Sequence, residues 1–476
     1  MMSELTLLHK LARSLMTGQL RAAADPHRPH WHLAPPVGLL NDPVGFVEAD
    51  DGYHLFYQWN PLACAHGAKF WGHWSSTDLV HWQHEPVALL PSEAYERNGC
   101  YSGSAVLHQG RVHLIYTGNV KYDDGSRTAY QCLARQIDDG TFEKLGPVID
   151  LPDGYTGHVR DPKVWRQGDH WYLVLGAQDA QLKGQVLCYR GDDLQHWQLL
   201  GELTGSGHNG LGEFGYMWEC PDLFELDGSD VLICCPQGLS PQGDRYQNLF
   251  QSGYFVGQMD YASGRLTHGE FTELDLGFEF YAPQTTLTRD GRRLIVGWMG
   301  LPDDNEASQP TRDYGWQHQM TCPRELRLVA GRLYQQPARE LTALRGPGTR
   351  WQGPAEAAPL LDGRSAELFL QPQGHWQLTL GESAWLAYVN HTLTLCRRNW
   401  RTGEWESRHW HGELMDLRLL LDASSIELFI NGGEVVMSSR YFPGEAVPLG
   451  WTGSAELRLE YWPLSPCMLE WATPMS

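Results

Sequence analysis

Five short apolar runs mark the first two thirds of the chain. They are YHLFYQ at Tyr53, VHLIYTG at Val112, WYLVLGA at Trp171, VLICCP at Val231 and RLIVGW at Arg293. Each has the length and the aliphatic and aromatic content of a buried strand. Aligned on Leu55, Leu114, Leu173, Leu232 and Leu294, they recur at steps of 59, 59, 59 and 62 residues. A fixed period of this size predicts an array of equivalent multi-strand units. Short strands, glycine turns and regular spacing argue against βαβ units, so the prediction is an all-β chain built on a five-bladed β-propeller, four strands to a blade.

The period changes how the polar positions are read. Asp42 of LLNDP stands 13 residues before Leu55, Asp161 of VRDP 12 before Leu173, and Glu219 of WECPD 13 before Leu232. The other two units carry Ser102 of YSGS and Tyr281 of FYAPQ at 12 and 13 before their leucines. Residues at equal phase in a ring converge on its axis. Alone, N-D-P or R-D-P is also an ordinary turn or surface pair. In phase, the three predict three acids in one depression, where like charges shift each other's pKa. Glu219 lies between Trp218 and Cys220 in an otherwise apolar run, which predicts a carboxyl kept protonated as a general acid. Asp42 has to be ionised to attack or to stabilise positive charge. One protonated and one ionised carboxyl is the pair that glycosidic cleavage needs.

Beyond the period the chain divides further. Residues 1–24 predict an amphipathic helix, with Leu8, Leu11 and Leu15 on one face and Lys10 and Arg13 interrupting any signal-type apolar run. Residues 25–343 hold the propeller. Residues 344–359, rich in Gly, Pro and Ala, read as a linker. Residues 360–476 read as a C-terminal β-sandwich, with Asn431-Gly432-Gly433 as a hairpin turn.

A net charge of −21 argues against nucleic acid or an anionic membrane as the main partner. The ten cysteines form no CxxC pair and several lie inside apolar strands, so reduced thiols and a cytoplasmic location are expected. No cluster has metal-ligand spacing, and no cofactor or metal is expected.

The segments HLAPPVGLLNDPVGF, FWGHWSSTDLVHW, YSGSA, VRDPKVW, MWECPDLF, FYAPQT, VGWMG and SSIELFINGGEVVMSSRYFP carry a resemblance. In order, from about His30 to Pro443, they resemble glycoside hydrolase family 32, the invertases and fructan hydrolases, and most nearly its bacterial branch acting on sucrose 6-phosphate. The resemblance implies the propeller and sandwich, and a retaining mechanism giving glucose 6-phosphate and fructose. Unphosphorylated sucrose or short fructans are the alternative substrates. It also implies Asp42 as nucleophile, Glu219 as acid/base and Asp161 as the group on the fructosyl hydroxyls. Leu39, Leu40, Asn41, Gln58, Tyr101, Ser102 and Arg160 match positions lining the fructose pocket, and Trp71, Tyr281 and Trp298 are expected as its walls. Two departures stand out. Val44 replaces the second Asn of the family's N-D-P-N-G, and a tryptophan usual after Gln58 is replaced near His66. His66 and Lys69 are therefore candidates for a phosphate contact, against an ordinary surface role for each.

Overall fold

The computed structural model describes residues 2–467 and the backbone of 470 and 471, so the last residues of the expected 360–476 unit lie outside it. Five antiparallel units follow one another in sequence, as the period predicts, each built on four strands, with a short fifth, Thr272–Glu273, added to the fourth. In the first the strands are Gly38–Ala49, Gly52–Asn60, Phe70–Ser76 and Gln83–His84. The inner strands of the other four are Cys100–His108, Tyr155–Gln167, Met217–Leu226 and Tyr281–Leu287. The five aligned leucines all lie in second strands and have no exposed surface. They are repeated because each does the same job, sealing a blade against its neighbour.

Every inner strand carries a bulge at the phase of the chemistry. Arg160 pairs with Gly176 and Lys163 with Val174, so three steps on one strand match two on the other. The same extra residue occurs between Glu219 and Asp222, and between Tyr281 and Gln284. The remaining two inner strands slip between Tyr101 and Gly103, and from Leu40 to Gly45. Asp161, Cys220 and Ala282, all 12 residues before their leucines, take left-handed φ of 69°, 49° and 49°. A bulge bends the strand and re-aims side chains that a regular pleat would send to opposite faces.

The ring closes on its first blade. Trp316–Gln317 pairs in parallel with Gly38 and Leu39, fixing the strand that carries Asp42. Gly38 has φ +73°, and a Cβ there would lie 2.0 Å from the Asn60 carbonyl oxygen, so no other residue fits.

The sandwich is two six-stranded sheets over a Leu-rich core. Here one expectation is corrected. Residues 344–359 are not a free linker: Thr349–Pro354 is an edge strand, paired along its length with Glu456–Pro463. The Gly and Pro content masked a strand whose alternate residues are exposed, as an edge allows. The N-terminal helix spans Glu4–Ala23, but its buried face is Leu7, Leu11 and partly Leu15. Leu8 faces solvent.

The two domains are joined by buried charge. His32 bridges Asp422 and Glu427 at 2.9 and 2.6 Å, and Arg324 donates to Glu427 at 2.6 Å. Removing one partner of such a network leaves an uncompensated buried charge, so these pairs fix the orientation of the sandwich more than they add net stability. All ten cysteines lie among the described residues and none forms a disulfide. No described helix is long and apolar enough to cross a membrane.

Candidate active site

The three carboxylates of the sequence motifs meet at one end of the propeller axis. Asp42 accepts a 2.6 Å hydrogen bond from the Ser102 hydroxyl and a 3.1 Å bond from the Asn41 amide. Asp161 accepts from the backbone N–H of Cys220 at 3.0 Å and from its thiol at 3.5 Å. The same thiol lies 3.9 Å from Asp42. The residue next to Glu219 therefore touches both other acids.

Glu219 is not isolated in apolar surroundings, as its sequence neighbours suggested. Arg160 donates to its Oε1 from Nε and Nη2, at 2.9 and 2.6 Å. Gln237 and the Tyr281 hydroxyl donate to Oε2 at 2.8 and 2.6 Å. The bulge explains why the expectation failed. In a regular strand Arg160 and Asp161 would face opposite sides, whereas the left-handed turn at Asp161 aims both at the site.

The electrostatics follow from burial. Desolvation pushes the Asp42 carboxyl above the usual aspartate range, and the Glu219 charge adds to it; Ser102, Asn41 and Lys69 act the other way. Burial, then Glu219, push Asp161 up to about 7, against the pull of Arg160. Like charges in one dry depression resist full ionisation.

The expected pocket residues fall into distinct roles. Ser102, Asn41, Arg160 and Tyr281 touch an acid directly. Tyr281 is thus a hydrogen-bond donor rather than only a wall. Leu39 and Leu40 have no exposed surface and back the pocket from behind. Gln58 is also buried and donates to the Cys100 carbonyl at 2.7 Å. Trp71 donates to the Tyr101 carbonyl at 3.1 Å and holds that residue at the rim. Trp298 is buried between Tyr281, His318 and His66. Val44 is wholly buried in the core between the first two blades, and an Asn there would need a polar partner in that apolar cluster.

His66 lies at the surface, one of the two readings held open for it, whereas Lys69 does not. Lys69 is buried and donates to Asn41 at 2.8 Å and to His66 Nδ1 at 3.0 Å. Burial pulls its ammonium down to about 7. His66 Nε2 meets Glu306 at 2.9 Å. The pair orients Asn41 against Asp42 and is already matched by an acid.

Sequence reasoning missed Gln237, and a signal for it existed. It stands five residues after Leu232, where the three preceding units hold Asn60, Asn119 and Gln178. An amide recurs at this phase of four blades, but only Gln237 reaches an acid; Asn60, Asn119 and Gln178 donate to backbone carbonyls. Among the described residues no group of three or more His, Cys, Asp or Glu is placed to hold a metal ion.

A ring of blades presenting three recessed carboxylates, one of them clamped by arginine and tyrosine, defines a carboxylate glycosidase. Comparison with known proteins narrows the class further. Residues 32–337 match the glycosyl hydrolases family 32 N-terminal domain and 385–462 its C-terminal domain. The chain belongs to glycosyl hydrolase family 32. It is 55% identical to a sucrose-6-phosphate hydrolase of Salmonella typhimurium over 97% of this chain and 99% of that protein. It is 48% identical to one of Bacillus subtilis, over 93% and 95%. A solved sucrose-6-phosphate hydrolase from Lactobacillus gasseri superposes with TM-score 0.89 at 31% identity, covering 96% of this chain and 97% of that one. A Bombyx mori β-fructofuranosidase mutant in complex with sucrose gives 0.86 at 34%, over 99% and 100%.

Proposed function

We propose that the protein is a cytoplasmic β-fructofuranosidase that hydrolyses sucrose 6-phosphate to glucose 6-phosphate and fructose, with retention. The observation that carries the reading is the convergence of Asp42, Asp161 and Glu219 on Cys220 and its neighbours. Likeness to sucrose-6-phosphate hydrolases over nearly the whole chain supports the substrate. Unpaired thiols and a phosphorylated sugar both suit a reducing compartment.

The chemistry runs in two displacements. Asp42 attacks the anomeric carbon of the fructosyl unit as Glu219 gives a proton to the glycosidic oxygen. The C–O bond breaks and glucose 6-phosphate leaves. Glu219, now a base, takes a proton from water, and the hydroxide attacks the fructosyl–Asp42 ester. Fructose leaves with its configuration retained and both carboxyls return to their starting states. Asp161 is held by Cys220 N–H and can accept from sugar hydroxyls, through bonds that tighten in the transition state.

Steady-state kinetics on sucrose and sucrose 6-phosphate side by side test the substrate. Each charge-assisted bond to phosphate contributes about 1.5–3 kcal/mol. Two bonds therefore favour the phosphorylated sugar by a few decades at most, chiefly in KM, and added salt weakens the preference. Equal kcat/KM on both would leave a plain invertase.

The pH profile tests Asp42. The nucleophile must be ionised, and its pKa is raised, so kcat/KM should fall with decreasing pH above the ordinary aspartate range. Ser102 donates to the charged form, so Ser102→Ala should move that acid limb further to the alkaline side. Because the acids interact, the limb belongs to the group. An acid limb that stays in place in Ser102→Ala would remove Asp42 from it.

A further inference from the structure

Beside Glu219, on the face away from Asn41 and Lys69, lies a group of basic side chains that the two displacements do not use. Arg160 reaches from Glu219 to His158, and its Nη1 donates to His158 Nδ1 at 2.9 Å. Arg127 donates to the same nitrogen at 3.2 Å and to Asn119 at 2.6 Å. Asn119 holds, in the second blade, the phase that Gln237 holds in the fourth.

Three features make this group unusual. Arg127 forms no ion pair with any carboxylate among the described residues; the charges of Glu219 and Asp161 act on it only at longer range. Its Nε is buried without a hydrogen-bond partner. Arg293, Arg408 and Arg440 also keep a buried nitrogen without a partner and form no ion pair among the described residues, but Arg127 alone of these is joined through His158 to the arginine that holds Glu219. The third feature is His158. Two guanidiniums donate to Nδ1, so the ring is neutral and its proton is on Nε2, leaving that N–H free to donate. Burial and the same cations, with Lys121, pull its pKa down to about 4. Lys121 is exposed and also lacks an acidic partner among the described residues.

We infer that Arg127, His158 and Arg160, with Lys121 at the rim, seat the phosphate of the leaving sugar. This seat presupposes that Glu219 is the acid and that the substrate is phosphorylated. The leaving group must lie against the residue that protonates it, and this group continues outward from Glu219 through Arg160. A phosphate dianion there accepts from the Arg127 and Arg160 guanidiniums and from His158 Nε2–H. His66 and Lys69 are the other basic pair near the site, but His66 is already matched by Glu306, whose charge would repel a phosphate there.

The test is kcat/KM on sucrose 6-phosphate and on sucrose, for the wild type and Arg127→Gln. The preference for the phosphorylated sugar should fall about 10- to 100-fold, the size of one charge-assisted hydrogen bond, and mainly through KM. Arg127→Lys should restore part of it. An unchanged preference overturns the inference. So does an equal loss on both substrates, which would mean that Arg127 acts only by steadying Arg160 and Glu219. If Arg127→Gln does not fold, His158→Gln reads the same seat, and an unchanged preference there overturns it. Inorganic phosphate should inhibit the wild type far more weakly than glucose 6-phosphate; equal potency would indicate a free-anion site and overturn it. A wild type with no preference would instead sink the substrate reading.

Discussion

Asp42→Asn should leave a folded protein with kcat lower by several decades. The amide keeps the shape of the carboxylate and can still meet the Ser102 hydroxyl, but it cannot form the fructosyl ester. Neither neighbouring nucleophile can stand in: the Ser102 hydroxyl at 2.6 Å has no carboxylate against it once Asp42 is an amide, and a hydrogen bond with Cys235 together with burial holds the Cys220 thiol well above the usual range. Stability should move the other way. Burial and the Glu219 charge raise the Asp42 pKa, which means that folding costs free energy when Asp42 is ionised. That cost is present above the raised pKa and fades as pH falls through it. A neutral isostere removes it at neutral pH. Thermal unfolding at pH 7 should therefore give a Tm equal to or above the wild type, with the difference shrinking in acid. Activity within about tenfold of the wild type would exclude Asp42 as nucleophile.

Much of this site was legible because a propeller repeats its geometry with its sequence. The leucines of the second strands set the period, and the period alone brought Asp42, Asp161 and Glu219 to one axis. What it could not supply was the bulge. Periodicity assumes a regular pleat, and under that rule Arg160 and Asp161 point apart. The extra residue in each inner strand turns both inward, so the clamp on Glu219 was invisible. The strand Thr349–Pro354 was missed for a related reason. An edge strand buries only part of its surface and tolerates Pro and Gly, so its composition resembles a linker. Lys69 illustrates a third limit. Its place beside Asn41 joins a strand residue to the loop residue before Phe70, 28 positions away, and no local pattern reports which of two neighbouring cations is buried.

The helix shows how small such errors can be. Leu7, Leu11 and Leu15 share one face as well as Leu8, Leu11 and Leu15 do, and only the partner surface decides between them. Phe70 and Leu90 pack against Leu7, which rotates the helix to that side.

Glu219→Gln should separate the two displacements. With sucrose 6-phosphate, loss of the acid should lower kcat by about 10²–10⁴-fold, the usual span for general acid–base catalysis. A fructoside whose leaving group needs no protonation should still form the fructosyl ester at near wild-type rate, because Asp42 is untouched. The second displacement then lacks its base, so the ester should accumulate and a burst should precede slow turnover. Azide needs no deprotonation to attack, and should restore turnover while giving a fructosyl azide of retained configuration. A structural explanation predicts a different pattern. The substituted amide would still accept from Arg160, but without charge, and a loosened Arg160 would slow every substrate alike, with no response to azide. A defect independent of the leaving group would therefore assign Glu219 to holding Arg160 in place and leave the proton to another donor, with Tyr281 the nearest hydroxyl.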